Sequence, residues 1–238
     1  MRTTTAHITN KGARENNEDS IHFFRVEDID IAVVADGLGG HGNGDIASKI
    51  VIETIETCFT SFPEFSEENI KQTLYVAHQK ILALQSEEKK CKATVVAAFI
   101  KDDEVIIAHS GDSRFYSFGL LGITHMTRDH SVSQMAVDMG EITHDEIRIS
   151  PDRNKVLHCL GGSEFKVVIQ RQKRKRYSHK GMLLCTDGFW QNVKEKEMMD
   201  TFRRSKDAEQ WLEKMTSILR AKQDETQDNY SAIVIMDK

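Results

Sequence analysis

The sequence predicts an α+β fold in which helices cover a mostly antiparallel sheet system, and three observations carry that prediction. Apolar runs of strand length come in blocks, one near 3–35 and another near 94–126. A pair of amphipathic helices separates those two blocks. After a further strand at Met182–Cys185, an amphipathic helix precedes a last apolar strand. Strand blocks separated by helices are the pattern of a layered domain in which each sheet hides one face under helices.

The elements follow in order. Thr3 to Thr9, Ile21 to Val26 and Ile31-Ala32-Val33-Val34-Ala35 read as strands. Ile46, Ile50, Val51, Ile55, Cys58 and Phe59 then recur at helical spacing. Past a break at Pro63, so do Ile70, Leu74, Ala77, Ile81 and Leu84. Ser66 is the expected N-cap of the second helix, with Glu67 and Glu68 suited to the positive end of its dipole. Strands are expected at Thr94 to Ile100, Val105 to His109, Arg114 to Ser117 and Ile123 to Met126. The stretch from Ser131 to about Gly162 reads as short helices and loop. Strands return at Phe165 to Gln170 and Met182 to Cys185. A helix with Ala208, Trp211, Leu212, Met215, Ile218 and Leu219 on one face comes next, and Tyr230 to Met236 is the closing strand.

Composition excludes several function classes. The formal net charge of -5 gives no basis for binding nucleic acid or an anionic membrane surface. No stretch reaches the roughly 18 apolar residues of a spanning helix, and Met1 to His7 lacks the apolar run of a secretory signal. Cys58, Cys91, Cys159 and Cys185 lie far apart, with neither zinc nor disulfide spacing, so a reducing cytoplasm is the expected compartment. With 238 residues, two prolines and no linker-like stretch, the chain is expected to form one domain.

The informative pattern is an acid at the end of strand after strand. Asp36-Gly37 follows Ile31–Ala35, Asp112 follows the strand ending at His109, and Asp187-Gly188 follows Met182–Cys185. Glu18-Asp19 and Asp228 stand just before strands. Any one Asp-Gly reads as a turn, because Asp bonds its own backbone and Gly accepts positive φ. Several carboxylates meeting in one cleft would instead demand cations to offset repulsion and desolvation. All-oxygen ligation favours Mg²⁺ or Mn²⁺ over Zn²⁺. Arg14 is the natural phosphate ligand, its planar fork gripping two oxygens at once. The glycine-rich run from Gly37 to Gly44 lacks the Lys-Ser/Thr ending of a P-loop and the spacing of a dinucleotide fingerprint.

Six motifs, in order, carry a family resemblance: Arg14-Glu15-Asn16-Asn17-Glu18-Asp19-Ser20, Asp36 to His41, Gly111-Asp112-Ser113-Arg114, Asp129-His130-Ser131, Cys185-Thr186-Asp187-Gly188-Phe189-Trp190 and Gln227-Asp228-Asn229. Through them the chain resembles the metal-dependent protein serine/threonine phosphatases, the type-2C family, in their compact stand-alone bacterial form. The resemblance implies a central sandwich of two antiparallel sheets flanked by helix pairs, as one catalytic domain over 1–238 with a flap at about 131–162.

It also implies a site. Asp36 would bridge two Mn²⁺ or Mg²⁺ ions, the Gly37 carbonyl would ligate one, and Asp187 and Asp228 would complete one ion's protein ligands. Glu18 and Asp19 would act through water, and Asp112 would bind a third ion with Asp187. Arg14 would hold the phosphate while a metal-bridging hydroxide attacks phosphorus.

By the same resemblance the substrates would be phosphoserine and phosphothreonine proteins, opposed by a cognate kinase; a monomer is expected. A catalytically silent binding module and a small-molecule phosphohydrolase are the alternatives. Where eukaryotic members carry a histidine this chain has Leu38, so leaving-group protonation falls to water on a metal or to His41. Cys185 is expected to be a buried strand residue, not a nucleophile. The basic run Arg171 to Arg176 is expected to be an exposed hairpin, and Met135, Met139 and Ile142 read as packing or as a substrate surface.

Overall fold

Along Ile29–Ala35, Ile29, Ile31, Val33 and Ala35 point one way and Ala32 and Val34 the other, and all six are fully buried. A strand alternates its side chains between two faces, so this one must be covered on both. A computed structural model describes residues 3–39, 43–86, 90–174 and 180–237 and shows what covers it.

In chain order the strands are β1 (Thr3–Asn10), β2 (Ser20–Val26), β3 (Ile29–Ala35) and β4 (Gly37–Gly39), followed by helices α1 (Gly44–Ser61) and α2 (Glu67–Leu84). Then come β5 (Cys91–Ala93), β6 (Val95–Lys101), β7 (Glu104–Ser110), β8 (Arg114–Phe118), β9 (Ile123–Met126), helix α3 (Val132–Asp138) and a 3₁₀ helix (His144–Ile149). The chain continues through β10 (Val168–Lys173), β11 (Gly181–Cys185), the single turn α4 (Asp187–Trp190), α5 (Glu195–Arg203), α6 (Ala208–Lys222) and β12 (Tyr230–Asp237).

Two five-stranded antiparallel sheets form, ordered β1-β12-β11-β8-β9 and β10-β7-β6-β3-β2. Three buried clusters separate four layers. Ala32, Val34, Val96 and Ile107 of one sheet meet Phe115, Leu184, Ile233 and Ile235 of the other. On the outer face of the β3 sheet, Val51, Ile55 and Phe59 of α1 and Ile70, Leu74 and Ile81 of α2 pack against Ile31, Val33 and Phe99. On the outer face of the other sheet, Met198 and Phe202 of α5 and Trp211, Met215 and Leu219 of α6 pack against Leu183, Ala232 and Val234. Each Val, Leu, Ile, Phe or Met among these contributes about 1.5–3 kcal/mol when fully buried. The expected α-β-β-α sandwich is therefore present.

Ser66 caps α2 as expected, its hydroxyl accepting the Asn69 N–H at 3.1 Å. Some elements differ from expectation. Helix α5 and the short β4–β5 pair are additional, and the strand expected at 165–170 pairs instead as Val168–Lys173 against β7. Its Arg171 reaches Glu104 at 3.0 Å, and Arg174 pairs with Asp237, so these two members of the basic run are engaged in ion pairs. Lys175 and Arg176 lie outside the described residues. Met135 and Met139 are exposed, whereas Ile142 packs on the α5–α6 core. No described helix is long and apolar enough to cross a membrane.

Strand register sets what gathers at one edge of the sandwich. Ser20 pairs with Ala35, and Ser110 with Val95. In the other sheet Cys185 pairs with both Arg114 and Ala232. The chain segments just beyond these residues therefore leave both sheets at the same end, and they carry the acids.

Candidate metal centre

Asp36 leaves β3 held by its backbone: its N–H donates to Thr94 Oγ1 at 3.1 Å and its carbonyl accepts the Thr94 N–H at 2.9 Å. Gly37 follows because nothing larger fits. A Cβ there would stand 2.2 Å from the Gly44 carbonyl oxygen at the start of α1. Glu18 stitches the same junction, its Oε1 accepting the Gly44 N–H at 3.1 Å and its carbonyl accepting the Gly37 N–H at 3.2 Å. Gly111, with φ +110°, turns the chain between β7 and Asp112 where a side chain would strike Thr94.

These turns form a cleft of about 250 Å³ whose walls include Arg14, Glu18, Asp36, Asp112, Asp187 and Asp228. Gly37 belongs to the same wall. Asp19 stands behind it, 8% exposed, with Oδ2 accepting the Thr186 hydroxyl at 2.9 Å. Asp187 opens α4 and accepts from Gln191 at 2.9 Å. Asp228 takes the Asn229 N–H on Oδ1 and the Arg14 guanidinium on Oδ2, both at 2.8 Å. That ion pair is well exposed, so it is a weak tether for Arg14. All eight residues singled out in the sequence thus lie in or directly behind one cleft.

The carboxylates raise each other's proton affinity. Burial, reinforced by Asp19, Asp187, Asp112 and Asp228, holds Asp36 well above the usual carboxylate range. Burial and Asp187 do the same to Asp112. Asp19 is pushed up to about 7 by burial, with Asp187 and Asp228 adding to it, and Asp187 to about 6 by burial and Asp228. Desolvation raises Glu18 as well, against the pull of its bond to Gly44.

As they stand, no three His, Cys, Asp or Glu side chains among the described residues are arranged to hold a metal ion. The residues nevertheless fit hard cations. Asp19 Oδ1 and Asp112 Oδ1 are buried and make no hydrogen bond. Buried carboxylate oxygens without donors, in an all-oxygen set whose members repel, call for positive charge.

Residues beyond the sequence reading complete the site. Asn229 is a hub: Oδ1 accepts the Glu18 N–H at 2.8 Å while Nδ2 donates to the Lys11 and Asn16 carbonyls, both at 2.9 Å. It thereby ties the Arg14–Asp19 loop to the start of β12. The signal was an amide next to Asp228, which local spacing could not connect to residues over 200 positions away. Asn154 and Val156 bring the 131–162 segment to the cleft wall. His41 lies outside the described residues. Leu38 sits on the wall, where it offers no proton. Cys185 is fully buried, and burial pushes its thiol far up, so it is no nucleophile.

Known proteins are similar to this chain in sequence and in fold. A Listeria monocytogenes protein named serine/threonine phosphatase stp is 31% identical over 199 residues, spanning 80% of this chain and 79% of its own length. A Streptococcus pyogenes putative protein phosphatase 2C-type is 35% identical over 158 residues, 62% of this chain and 63% of that one. Among solved structures, Staphylococcus aureus serine/threonine phosphatase Stp1 superposes with a TM-score of 0.89 at 24% identity, over all of this chain and 96% of its own. A PstP catalytic domain crystallised with two manganese ions gives 0.83 at 23%, covering 98% and 97%. Both structural likenesses establish the fold. The family model described as Protein phosphatase 2C matches residues 5–230, from within β1 to the first residue of β12. Sequence match and fold agree over nearly the whole chain, which belongs to the protein phosphatase 2C family.

Proposed function

We propose that this chain hydrolyses phosphoserine and phosphothreonine in proteins, reversing a protein kinase, with divalent cations held by the carboxylate cleft. One observation carries the reading: acids from five separate chain segments gather beside Arg14 at one edge of the sandwich. Asp36, the Gly37 carbonyl, Asp187 and Asp228 are assigned to two core ions, with Glu18 and Asp19 behind water and Asp112 at a third. The PstP domain solved with two manganese ions supports Mn²⁺ as the cation to test first. Bound cations would supply a water ionised near neutral pH and offset charge on the phosphoryl oxygens.

The chain's own residues do the rest. Arg14, 57% exposed on its side chain, is free to swing from Asp228 to the substrate and present its fork to two phosphoryl oxygens. Its charge then stabilises the transition state, where negative charge spreads over the equatorial oxygens. The 131–162 segment is assigned as a flap, because Asn154 and Val156 form one wall of the cleft.

The test is Mn²⁺-dependent phosphate release from a phosphothreonine peptide, abolished by Asp36→Asn or Asp187→Asn. Metal binding without turnover would make the chain a silent module. Turnover of small phosphate esters with phosphopeptides left intact would make it a small-molecule hydrolase.

A further inference from the structure

A second cavity, of about 510 Å³, adjoins the metal cleft and shares Arg14, Asn154 and Asp228 with it. Four cationic side chains reach it: Arg14, Arg148, Arg153 and Lys222. Its acids are Asp228, already bound to Arg14, and Asp224, turned onto the N–H and hydroxyl of Thr226 at 2.7 and 2.6 Å. A basic pocket is not what the chain's overall charge of -5 would place at random.

The cations differ in how far they are satisfied. Lys222 is held by Glu197 at 2.8 Å and by the Asn192 carbonyl. Arg148 gives Nη2 to Glu195 at 2.6 Å, but its Nη1 is buried with no hydrogen-bond partner, although the side chain is only 9% exposed. Arg153 has one bond, from Nη1 to the Ser150 carbonyl at 3.3 Å, and no ion pair among the described residues. Such a guanidinium, half-buried at a cavity wall, keeps donors available for an anion.

We propose that this cavity is a substrate subsite taking a second anionic group, a carboxylate or a phosphate, on a residue within a few positions of the phosphorylated one, with Arg153 as its specificity-determining contact. The inference rests on the phosphoprotein reading above. An extended peptide advances about 3.3 Å per residue, so the neighbours of a phosphoresidue seated in the cleft pass over the adjoining cavity. Ile149, 78% exposed on its rim, gives that peptide an apolar surface to lie against.

The experiment compares kcat/KM, in Mn²⁺, for four phosphothreonine peptides: neutral flanks, flanking glutamates, a second phosphoserine, and flanking lysines. Wild-type protein should prefer the glutamate or the doubly phosphorylated peptide, and which of the two is preferred identifies the anion. Arg153→Ala should lower kcat/KM on that peptide about tenfold, as loss of a charge-assisted bond predicts, and change the neutral peptide less than about twofold. Arg153→Lys, which keeps the charge, should retain part of the preference, and Arg153→Glu should shift it toward the lysine peptide. Equal losses on all four peptides, or no loss on any, would overturn the subsite. If wild-type protein turned over none of the peptides, the failure would lie with the phosphatase reading itself.

Discussion

Asp19→Asn should stabilise the protein without metal and destabilise it, relative to wild type, with metal. The folded-state pKa of Asp19 is raised from 3.8 to about 7, chiefly by burial. At 1.36 kcal/mol per unit, burying the charged form costs about 4 kcal/mol at pH 8. The sign follows from linkage. Because the folded pKa lies above the unfolded one, the residue's favourable contribution is whole below pH 4 and is lost as pH rises through about 7. Asparagine carries no charge at any pH and still accepts from Thr186. Its amide nitrogen would stand where Oδ1 has no partner, at a cost of about 1–3 kcal/mol. The net gain at pH 8 in chelator is therefore about 1–3 kcal/mol, or roughly 2–12 °C at the 2–4 °C per kcal/mol usual for this chain length. At pH 5 most of that gain disappears. Saturating Mn²⁺ should reverse the order at pH 8, since a ligand at a hundred times its dissociation constant contributes about 2.7 kcal/mol to the form that binds it. Thermal melts at both pH values, with chelator and with Mn²⁺, measure all four corners. A variant that melts below wild type in chelator at pH 8 would refute the reasoning.

Three further outcomes are expected. Arg14→Ala should lower kcat/KM on phosphothreonine peptides about 10- to 100-fold, the loss of one charge-assisted pair. Calorimetric Mn²⁺ binding should stay intact, because Asp228 is freed from its partner. Asp129→Ala should cost about 3–5 kcal/mol in urea unfolding, since it strands Arg114, whose side chain is 1% exposed, without its two 2.7 Å bonds; a loss under about 1 kcal/mol would contradict that account. Cys185→Ala should keep turnover within about threefold while lowering the melting temperature, its role being packing alone.

What the sequence reveals here depends on how far an interaction reaches along the chain. β3 was legible because the five consecutive apolar residues Ile31 to Ala35 mark it, and α2 because Ser66 and an apolar stripe mark it locally. Helix α5 escaped because its nine residues bury only Met198, Met199, Thr201 and Phe202 amid charged neighbours. The β4–β5 pair escaped because Gly37–Gly39 has no strand propensity; pairing with Cys91–Ala93 makes it a strand. β10 begins late because the Lys166 carbonyl bonds the Ser110 hydroxyl at 2.7 Å instead of joining the ladder. The acids were legible one at a time, but their meeting depends on register across both sheets, which no local pattern records.

The structure also divides the motifs by role. Gly111-Asp112-Ser113-Arg114 and Asp129-His130-Ser131 look alike in sequence, each placing an acid among small and basic residues. Yet Asp129 is answered by the Arg114 fork, while Asp112 Oδ1 has no hydrogen-bond partner. Asp129 is a buried carboxylate neutralised by a protein cation, whereas burial without such a partner raises the proton affinity of Asp112. Trp190 joins the two. The Arg114 guanidinium lies 3.5 Å from its ring centroid, and its Nε1 donates to the Asp112 carbonyl at 2.9 Å. A paired cation thus fixes an indole, and the indole fixes the backbone of the unpaired acid. Rigid support of this kind holds a carboxyl group in a place that disfavours its charge.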